Sequence, residues 1–452
     1  MKASLVADVV TEFKTNGRIV IVGASLAGLR AAETLRDEGF NGKLTIIGDE
    51  KHEPYDRPPL SKQVLKGLAR ADHTTLPRMR KVDADWRLGV AATGLDREAH
   101  TLRLADGRVL PYRRLLIATG AQARPWPEPE EAALGGVFTL RGRDDAAALR
   151  AVLAKRPRHV LIVGGGLIGC EAASCCRDLG IDVTVVDPNP TPLARSLGTF
   201  VGGVVAGLLE RSGVDFRPDA HVELLEGDSF DRLRRAHLRG GETIEAEVAI
   251  VALGAMRSTG WLAGAGLMAD AGGLTCDGAC RVLAADGTPC EDIYAAGDVA
   301  RWPNPIYGGR LISVEHWGNA VEQAGHAARN MLAAADAQQP YAHLPAFWSS
   351  QFGVNIKAVG LSEGADSVAI VQGSRAARRF LAVYGRAGRS IAAVSFDEAR
   401  WLPAYAEQIR AGHPFPPIRD ATDQARIEIH APGFPPRRAG RAEPARMENV
   451  HA

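Results

Sequence analysis

The sequence predicts an α/β protein: two domains built on helix-wound parallel sheets, then a small C-terminal α+β domain with an antiparallel sheet. Three observations carry this. A strand, glycine turn, helix and second strand occur at 18–49 and again at 159–187. Each copy is followed by an apolar strand leading into a glycine, at 113–124 and 247–258. Beyond 336, short apolar runs alternate with glycine turns, as in an antiparallel sheet.

The 452 residues exceed what one core organises and imply several domains. Lys+Arg 54 against Asp+Glu 53 leaves a net charge of +1, so no overall field draws nucleic acid or an anionic membrane. The N-terminus carries Asp8 and Glu12 and reads as no signal peptide. No stretch approaches the ~18 apolar residues of a membrane span. A soluble, cytoplasmic protein is the expectation. The cysteines are Cys170, Cys175, Cys176, Cys276, Cys280 and Cys290. Cys276 and Cys280 form C-x-x-x-C without a second pair or a His cluster, so reduced thiols and no metal are expected.

In the first copy, "RIVIVG" is a β-branched run suited to a buried parallel strand. "LAGLRAAETLRDEG" has apolar residues at helical spacing with Gly39 as a stop, and "KLTIIGD" is a second strand. Gly23 and Gly28 permit the tight turn and close helix–strand packing of a dinucleotide fingerprint. Ser25 stands at the middle glycine. It is small enough to admit a pyrophosphate at the helix N-terminus and offers a hydroxyl to it. The second copy, "HVLIVGGGLIGCEAASCCRDLGIDVTVVD", has all three glycines: Gly164, Gly166 and Gly169. Gly23 to Gly164 and Gly28 to Gly169 both span 141 residues. Asp187 closes its second strand, 21 residues after Gly166, where an acid reads a ribose 2′-hydroxyl. Two such units in register imply two Rossmann-like dinucleotide-binding domains, and two dinucleotides in one chain suggest a flavin and a nicotinamide exchanging a hydride.

The ordered set "GASLAG", "YDRPPLSK", "IATGAQARP", "GGGLIGCE", "IYAAGDVA", "EHWGNAVEQA" and "FWSSQFGVNIKAVG" resembles the FAD-dependent NADH:ferredoxin reductases that serve cytochrome P450 and ring-hydroxylating dioxygenase systems. The likeness runs from about Arg18 to about Tyr405. It implies FAD on the first turn, NADH on the second, and single-electron transfer to a small iron–sulfur protein. It implies that Asp298 in "IYAAGDVAR" holds the ribitol, where the residues alone allow a helix cap. It implies that Asp49 binds the adenosine ribose of FAD although Gly48 fills the usual acid slot, with Glu50 the competing choice. The prolines of "YDRPPLSK" fix an extended loop suited to lie against a flavin ring. By resemblance Lys62 pairs there with Glu171, which touches the nicotinamide amide. On the residues alone, Lys62 is a surface lysine and Glu171 a helix-dipole carboxylate. Trp317 is a packing residue on the residues alone and lines the flavin by resemblance. By the same resemblance, cofactor contacts extend to Ala27, Arg57, Pro59, Ala92, Ala118, Thr119, Gly120, Arg141, Leu167, Ile168, Gly254, Gly297, Glu315 and His316. Two departures stand near the expected flavin edge: Ser313 where relatives commonly have arginine, and Ser350 where aspartate is common.

NADH is expected over NADPH, because Asp187 repels a 2′-phosphate and no arginine follows directly; Arg195 is eight residues on. Arg301, Arg310 and Lys357 are candidates for a basic patch that docks an acidic ferredoxin, each also readable as an ordinary surface charge. Rival acceptors are rubredoxin, quinone or monodehydroascorbate. Flavin-disulfide reductases need a cysteine after the first βαβ unit, and none precedes Cys170. An NADH-responsive interaction flavoprotein, like apoptosis-inducing-factor relatives, is the reading from another class. The expected division is an FAD-binding domain at 1–123 and 254–335, an NAD-binding domain at 124–253, a C-terminal α+β domain at 336–410, and an extended or disordered tail at 411–452.

Overall fold

The computed structural model describes residues 2–418 and 423–436. A six-stranded sheet runs in the order Arg281–Leu283, Pro289–Ala295, Arg114–Ile117, Arg18–Val22, Lys43–Gly48, Asp85–Leu88. Strand Arg18–Val22 lies at its centre, parallel to Lys43–Gly48 and Arg114–Ile117. Ile19 and Ile21 are fully buried, as β-branched residues on a strand covered on both faces should be. The strand Pro289–Ala295 joins this sheet parallel to Arg114–Ile117, although the whole second sheet intervenes in sequence. That second sheet is all parallel, in the order Val214–Arg217, Asp182–Val186, His159–Val163, Val248–Val251, Val137–Thr139. The chain crosses between the sheets twice, and its crossing segments Ala121–Ala123 and Ala255–Arg257 pair antiparallel.

Helix Leu26–Asp37 covers the first sheet with Leu29, Ala31, Ala32 and Leu35. Against it lies helix Trp317–Leu332, whose Ala324, Ala327 and Ala328 are fully buried. Small side chains let the two backbones approach; a Cβ on Gly325 would stand 3.3 Å from Thr34 Oγ1. An N-terminal helix, Lys2–Asn16, precedes the first strand and was not anticipated from sequence. Its Phe13 is buried against Phe40, with ring centres 5.8 Å apart, and carries the Arg114 guanidinium over its face.

The C-terminal sheet is antiparallel throughout, in the order Ala346–Gln351, Val354–Gly360, Arg389–Phe396, Arg379–Arg386, Ser367–Ser374, Ile429–His430. The short apolar runs expected beyond 336 are strands of it, Val354–Gly360, Ser367–Ser374, Arg379–Arg386 and Arg389–Phe396 among them. Helix Leu402–Arg410 packs on this sheet, and Tyr405 exchanges hydrogen bonds with Gln372. The segment 423–436, part of the expected tail, is docked along the surface. Ile429–His430 adds to the edge of strand Ser367–Ser374. Pro432 and Gly433 then offer carbonyls to Phe200 N and Thr199 N, both at 3.1 Å, in the helix Ala194–Arg211. Residues 437–452 lie outside the described residues. Among the described residues no helix is long and apolar enough to cross a membrane.

Candidate active site

The two glycine turns are sterically fixed in the same way. A Cβ on Gly28 would lie 1.9 Å from Gly23 O, and one on Gly169 would lie 1.9 Å from Gly164 O. Gly23 and Gly164 adopt φ of +123° and +113°, where side chains are strained. The middle positions behave differently. A Cβ on Gly166 would meet nothing within 4 Å. The space beside it is open, as a cradle for an approaching phosphate must be. Neither Ser25 nor Gly166 caps its helix through a side chain, so the leading N–H groups of both helices stay available to an anion. Helix Arg143–Leu153, in contrast, has the N–H groups leading into it, those of Arg141 and Gly142, tied to Asp145 and its own first N–H tied to Tyr55 Oη. These features fit two dinucleotides, with Ser25 an acceptable stand-in for glycine.

The strand ends beside the two turns are complementary. In the second, Asp187 fits because Gly165 has no side chain; in the first, Ala24 occupies that space and the strand must end in Gly48. Asp187 is engaged within its own turn. Only 6% exposed, it accepts from Gly165 N at 2.5 Å and from Asn189 N and Nδ2 at 2.7 and 2.6 Å. These contacts brace the turn and fix the carboxylate at the end of its strand. Arg195, by contrast, is exposed on the helix that follows. Asp49 is exposed and accepts only from Glu50 N, whereas Glu50 is engaged by Tyr55 Oη and by Arg57 at 2.5 Å. Arg57 also reaches Arg141 O at 2.9 Å. Ala92 begins a strand next to Val90, whose N–H bonds to Gly48 O and seats this segment at the same end of the sheet.

Asp298 pairs with Arg141 at 2.6 Å, and Arg141 also donates to Ala121 O on the crossing strand. Gly297 donates to the buried Gln323, and a Cβ there would touch Ala27 at 3.3 Å, so this turn abuts the first helix start. Ala118 closes over Gly23, Thr119 donates to Ser258 O, and Gly120 and Gly254 take positive φ beside open space. Leu167 and Ile168 open the second fingerprint helix, with Ile168 exposed.

Lys62 and Glu171 meet at 2.7 Å. Lys62 sits in a single π-helical turn, Leu60–Val64, closed by Val64 N to Pro59 O at 3.0 Å. Such a turn is uncommon outside functional sites. Glu171, only 3% exposed, accepts from three side chains on two segments: Lys62 Nζ and Ser61 Oγ at Oε2, and Ser349 Oγ at Oε1, 2.6 Å away. Cys175, one helical turn on, donates to Ser61 O and Lys62 O. Trp317 is brought to the same loop: its indole N–H donates to Asp56 Oδ1 at 2.9 Å, and its ring meets the exposed Trp348 edge-on. Burial raises the Asp56 carboxyl above its usual range. Before Trp317, His316 has a buried Nδ1 with no partner. Burial holds its imidazole down, to about 4, against the pull of Asp298.

Ser61, Asp56, Ser349 and Gln351 were missed by sequence reasoning, although "LSK" and "FWSSQ" both lay within quoted motifs. Buried Ser349 and Gln351 alternate with exposed Trp348 and Ser350, a pattern that the run Trp-Ser-Ser-Gln does not show as a sequence. Ser313, where an arginine was expected, accepts from Arg257 at 2.9 Å, and Arg257 also pairs with Glu315 at 2.6 Å. A guanidinium thus still faces Glu315, supplied by the crossing strand. Two of the three docking cations are committed elsewhere: Arg301 to Asp270 at 2.6 Å and Arg310 to Glu363 at 3.1 Å. Lys357 is exposed.

The family model described as pyridine nucleotide-disulphide oxidoreductase matches residues 17–324, and that described as reductase C-terminal matches 346–427. The ferredoxin–NAD(+) reductase component of an anthranilate 1,2-dioxygenase system from Burkholderia cepacia is 36% identical over 409 residues, covering 87% of this chain and 94% of that one. Human apoptosis-inducing factor 3 is 30% identical over 400 residues, covering 88% of this chain and 64% of that one. The crystal structure of a covalent putidaredoxin reductase–putidaredoxin complex superposes with a TM-score of 0.82 at 29% identity, covering 88% of this chain and 94% of that one. With both models matched in order and relatives alike over most of their length, the chain belongs to the pyridine nucleotide-disulphide oxidoreductases, in the branch of FAD-dependent NADH:ferredoxin reductases.

Proposed function

We propose that this protein takes a hydride from NADH onto FAD and delivers electrons one at a time to a small ferredoxin that feeds an oxygenase. The observation that carries the proposal is the Lys62–Glu171 pair, which joins the loop after the first βαβ unit to the first turn of the second fingerprint helix. Bound FAD supplies the change from two-electron to one-electron chemistry. The chain's own residues bind, orient and exclude water. The first turn, Arg57, Arg141 and Asp298 hold the flavin, and the second turn holds the nicotinamide nucleotide. Lys62 provides a fixed positive charge in a site where charge interactions are little screened. Glu171 keeps that ammonium in place and receives the nicotinamide amide. Trp317 and Trp348 form the apolar wall at the exposed side, where an acceptor would dock.

Thiol chemistry has no support. All six cysteines are buried and unbridged, and burial pushes Cys175 and Cys176 up to about 12, so neither supplies a thiolate. The unbridged cysteines also favour a cytoplasmic setting. With Arg301 and Arg310 paired, docking should rest on the tryptophan wall and Lys357 more than on a broad basic patch.

The test is reoxidation of the NADH-reduced protein by acceptors of different class. A [2Fe–2S] ferredoxin should reoxidise it much faster than rubredoxin, a quinone or monodehydroascorbate. A long-lived reduced complex that no acceptor discharges would instead mark an interaction flavoprotein.

A further inference from the structure

We propose that Ser349 is a positioning residue for Glu171, so that the C-terminal sheet fixes the carboxylate that serves the nicotinamide site. This rests on the functional reading above. Glu171 Oε2 has two donors, Ser61 and Lys62, but Oε1 has Ser349 as its donor, from 178 residues away in sequence. Ser349 is 1% exposed, so solvent has no ready route to replace its hydroxyl. That hydroxyl in turn accepts from Gln351 Nε2 at 3.2 Å, and Gln351 is also buried. Gln351 and Ser349 lie two residues apart on one face of an edge strand, and their side chains form a directed chain ending on Glu171. The strand is separately pinned to the same helix, because Phe352 N donates to Ser174 Oγ at 2.8 Å, one turn beyond Glu171. Removing the Ser349 hydroxyl therefore leaves the strand seated and frees the Glu171 carboxylate and the Gln351 amide that met on it. A buried acceptor without a donor seeks another. A Glu171 that turns about its terminal torsion to satisfy Oε1 carries Oε2 away from Lys62.

The experiment compares the FAD-loaded wild type with Ser349→Ala, Ser349→Thr, Glu171→Gln and the double variant Ser349→Ala/Glu171→Gln. Three quantities are read: the rate of flavin reduction by NADH, the affinity for NAD(+) from spectral titration, and the melting midpoint. Ser349→Ala should slow reduction about tenfold and weaken NAD(+) binding, with FAD content unchanged. Ser349→Thr, which keeps the hydroxyl, should recover most of both. Adding Ser349→Ala to Glu171→Gln should change nothing further. A wild-type rate and affinity in Ser349→Ala would overturn the proposal, as would effects that multiply with those of Glu171→Gln. A wild type that NADH does not reduce would sink the functional reading instead. The melting midpoints would then still decide the hold of Ser349 on Glu171, with additive shifts overturning it.

Discussion

The sharpest prediction contrasts two glycines three residues apart. Gly169 and Gly166 share one turn, but a Cβ at Gly169 collides with backbone and one at Gly166 enters open space. At Gly169 the methyl would stand 1.9 Å from Gly164 O, where ordinary contact begins near 3.4 Å. Helix and strand must separate by about 1.5 Å, and overpacking of this kind costs about 1–3 kcal/mol. At about 2–4 °C per kcal/mol for a domain of this size, Gly169→Ala should lower the melting midpoint by about 2–12 °C. Gly166 has φ −75° and ψ −175°, which alanine adopts freely. There the entropic gain of replacing glycine, about 0.4–1 kcal/mol, offsets a comparable loss at a helix N-cap. Gly166→Ala should therefore melt like the wild type. On the proposed function its methyl would stand where the nicotinamide nucleotide's phosphates bind, so NADH affinity should fall about tenfold or more, equal to about 1.4 kcal/mol. FAD content should be unaffected. Thermal melting by circular dichroism and NADH titration of the same preparations give both numbers. Unchanged NADH affinity in Gly166→Ala, or loss of FAD in its place, would refute the assignment of the second turn.

Other perturbations follow from the same geometry. Lys62→Met leaves the Glu171 carboxylate buried without its cation and should destabilise the fold by about 3–5 kcal/mol, whereas Lys62→Met/Glu171→Gln should recover much of that in urea unfolding. His316 is held neutral by burial, its value falling from 6.5 to about 4. The unfolded chain takes up that proton first, so His316 contributes full stability above about pH 6.5 and loses it as pH falls toward 4. Between about pH 7 and pH 4.5 the wild type should lose about 2–3 kcal/mol more than His316→Gln, measured by urea unfolding at both pH values. Truncation after Arg426 removes the edge strand Ile429–His430 and Phe434, which packs beside Tyr384. The shortened protein should melt lower and self-associate through its exposed strand edge, while NADH still reduces it.

What was legible in the sequence is what the backbone itself dictates. Gly23, Gly28, Gly164 and Gly169 are forced by contacts within one turn, and runs such as "RIVIV" and "HVLIV" are buried on both faces, so short windows carried the signal. The alternating apolar strands of the C-terminal sheet were readable for the same reason. What stayed hidden depends on partners far away in the chain. That Asp187 is fastened to Gly165 N could not be read from residues 22 apart in the chain. Arg301 and Arg310 looked free until the fold brought Asp270 and Glu363 beside them. Arg257 replaces the arginine absent at Ser313 from a strand 56 residues away. The docked segment 423–436 has little apolar periodicity of its own, and its order is lent by the sheet edge and by the helix kink at Gly198, where a Cβ would strike Pro432 O.

The account turns on NADH meeting the flavin beside Lys62 and Glu171. The most direct measurement is anaerobic stopped-flow reduction of the FAD-loaded protein by NADH carrying deuterium at one or the other C4 position. The flavin absorbance should bleach in a single phase that slows for one labelled face only, and Glu171→Gln should slow it further without releasing FAD. Bleaching indifferent to deuterium on either face, or no bleaching at all, would contradict the account.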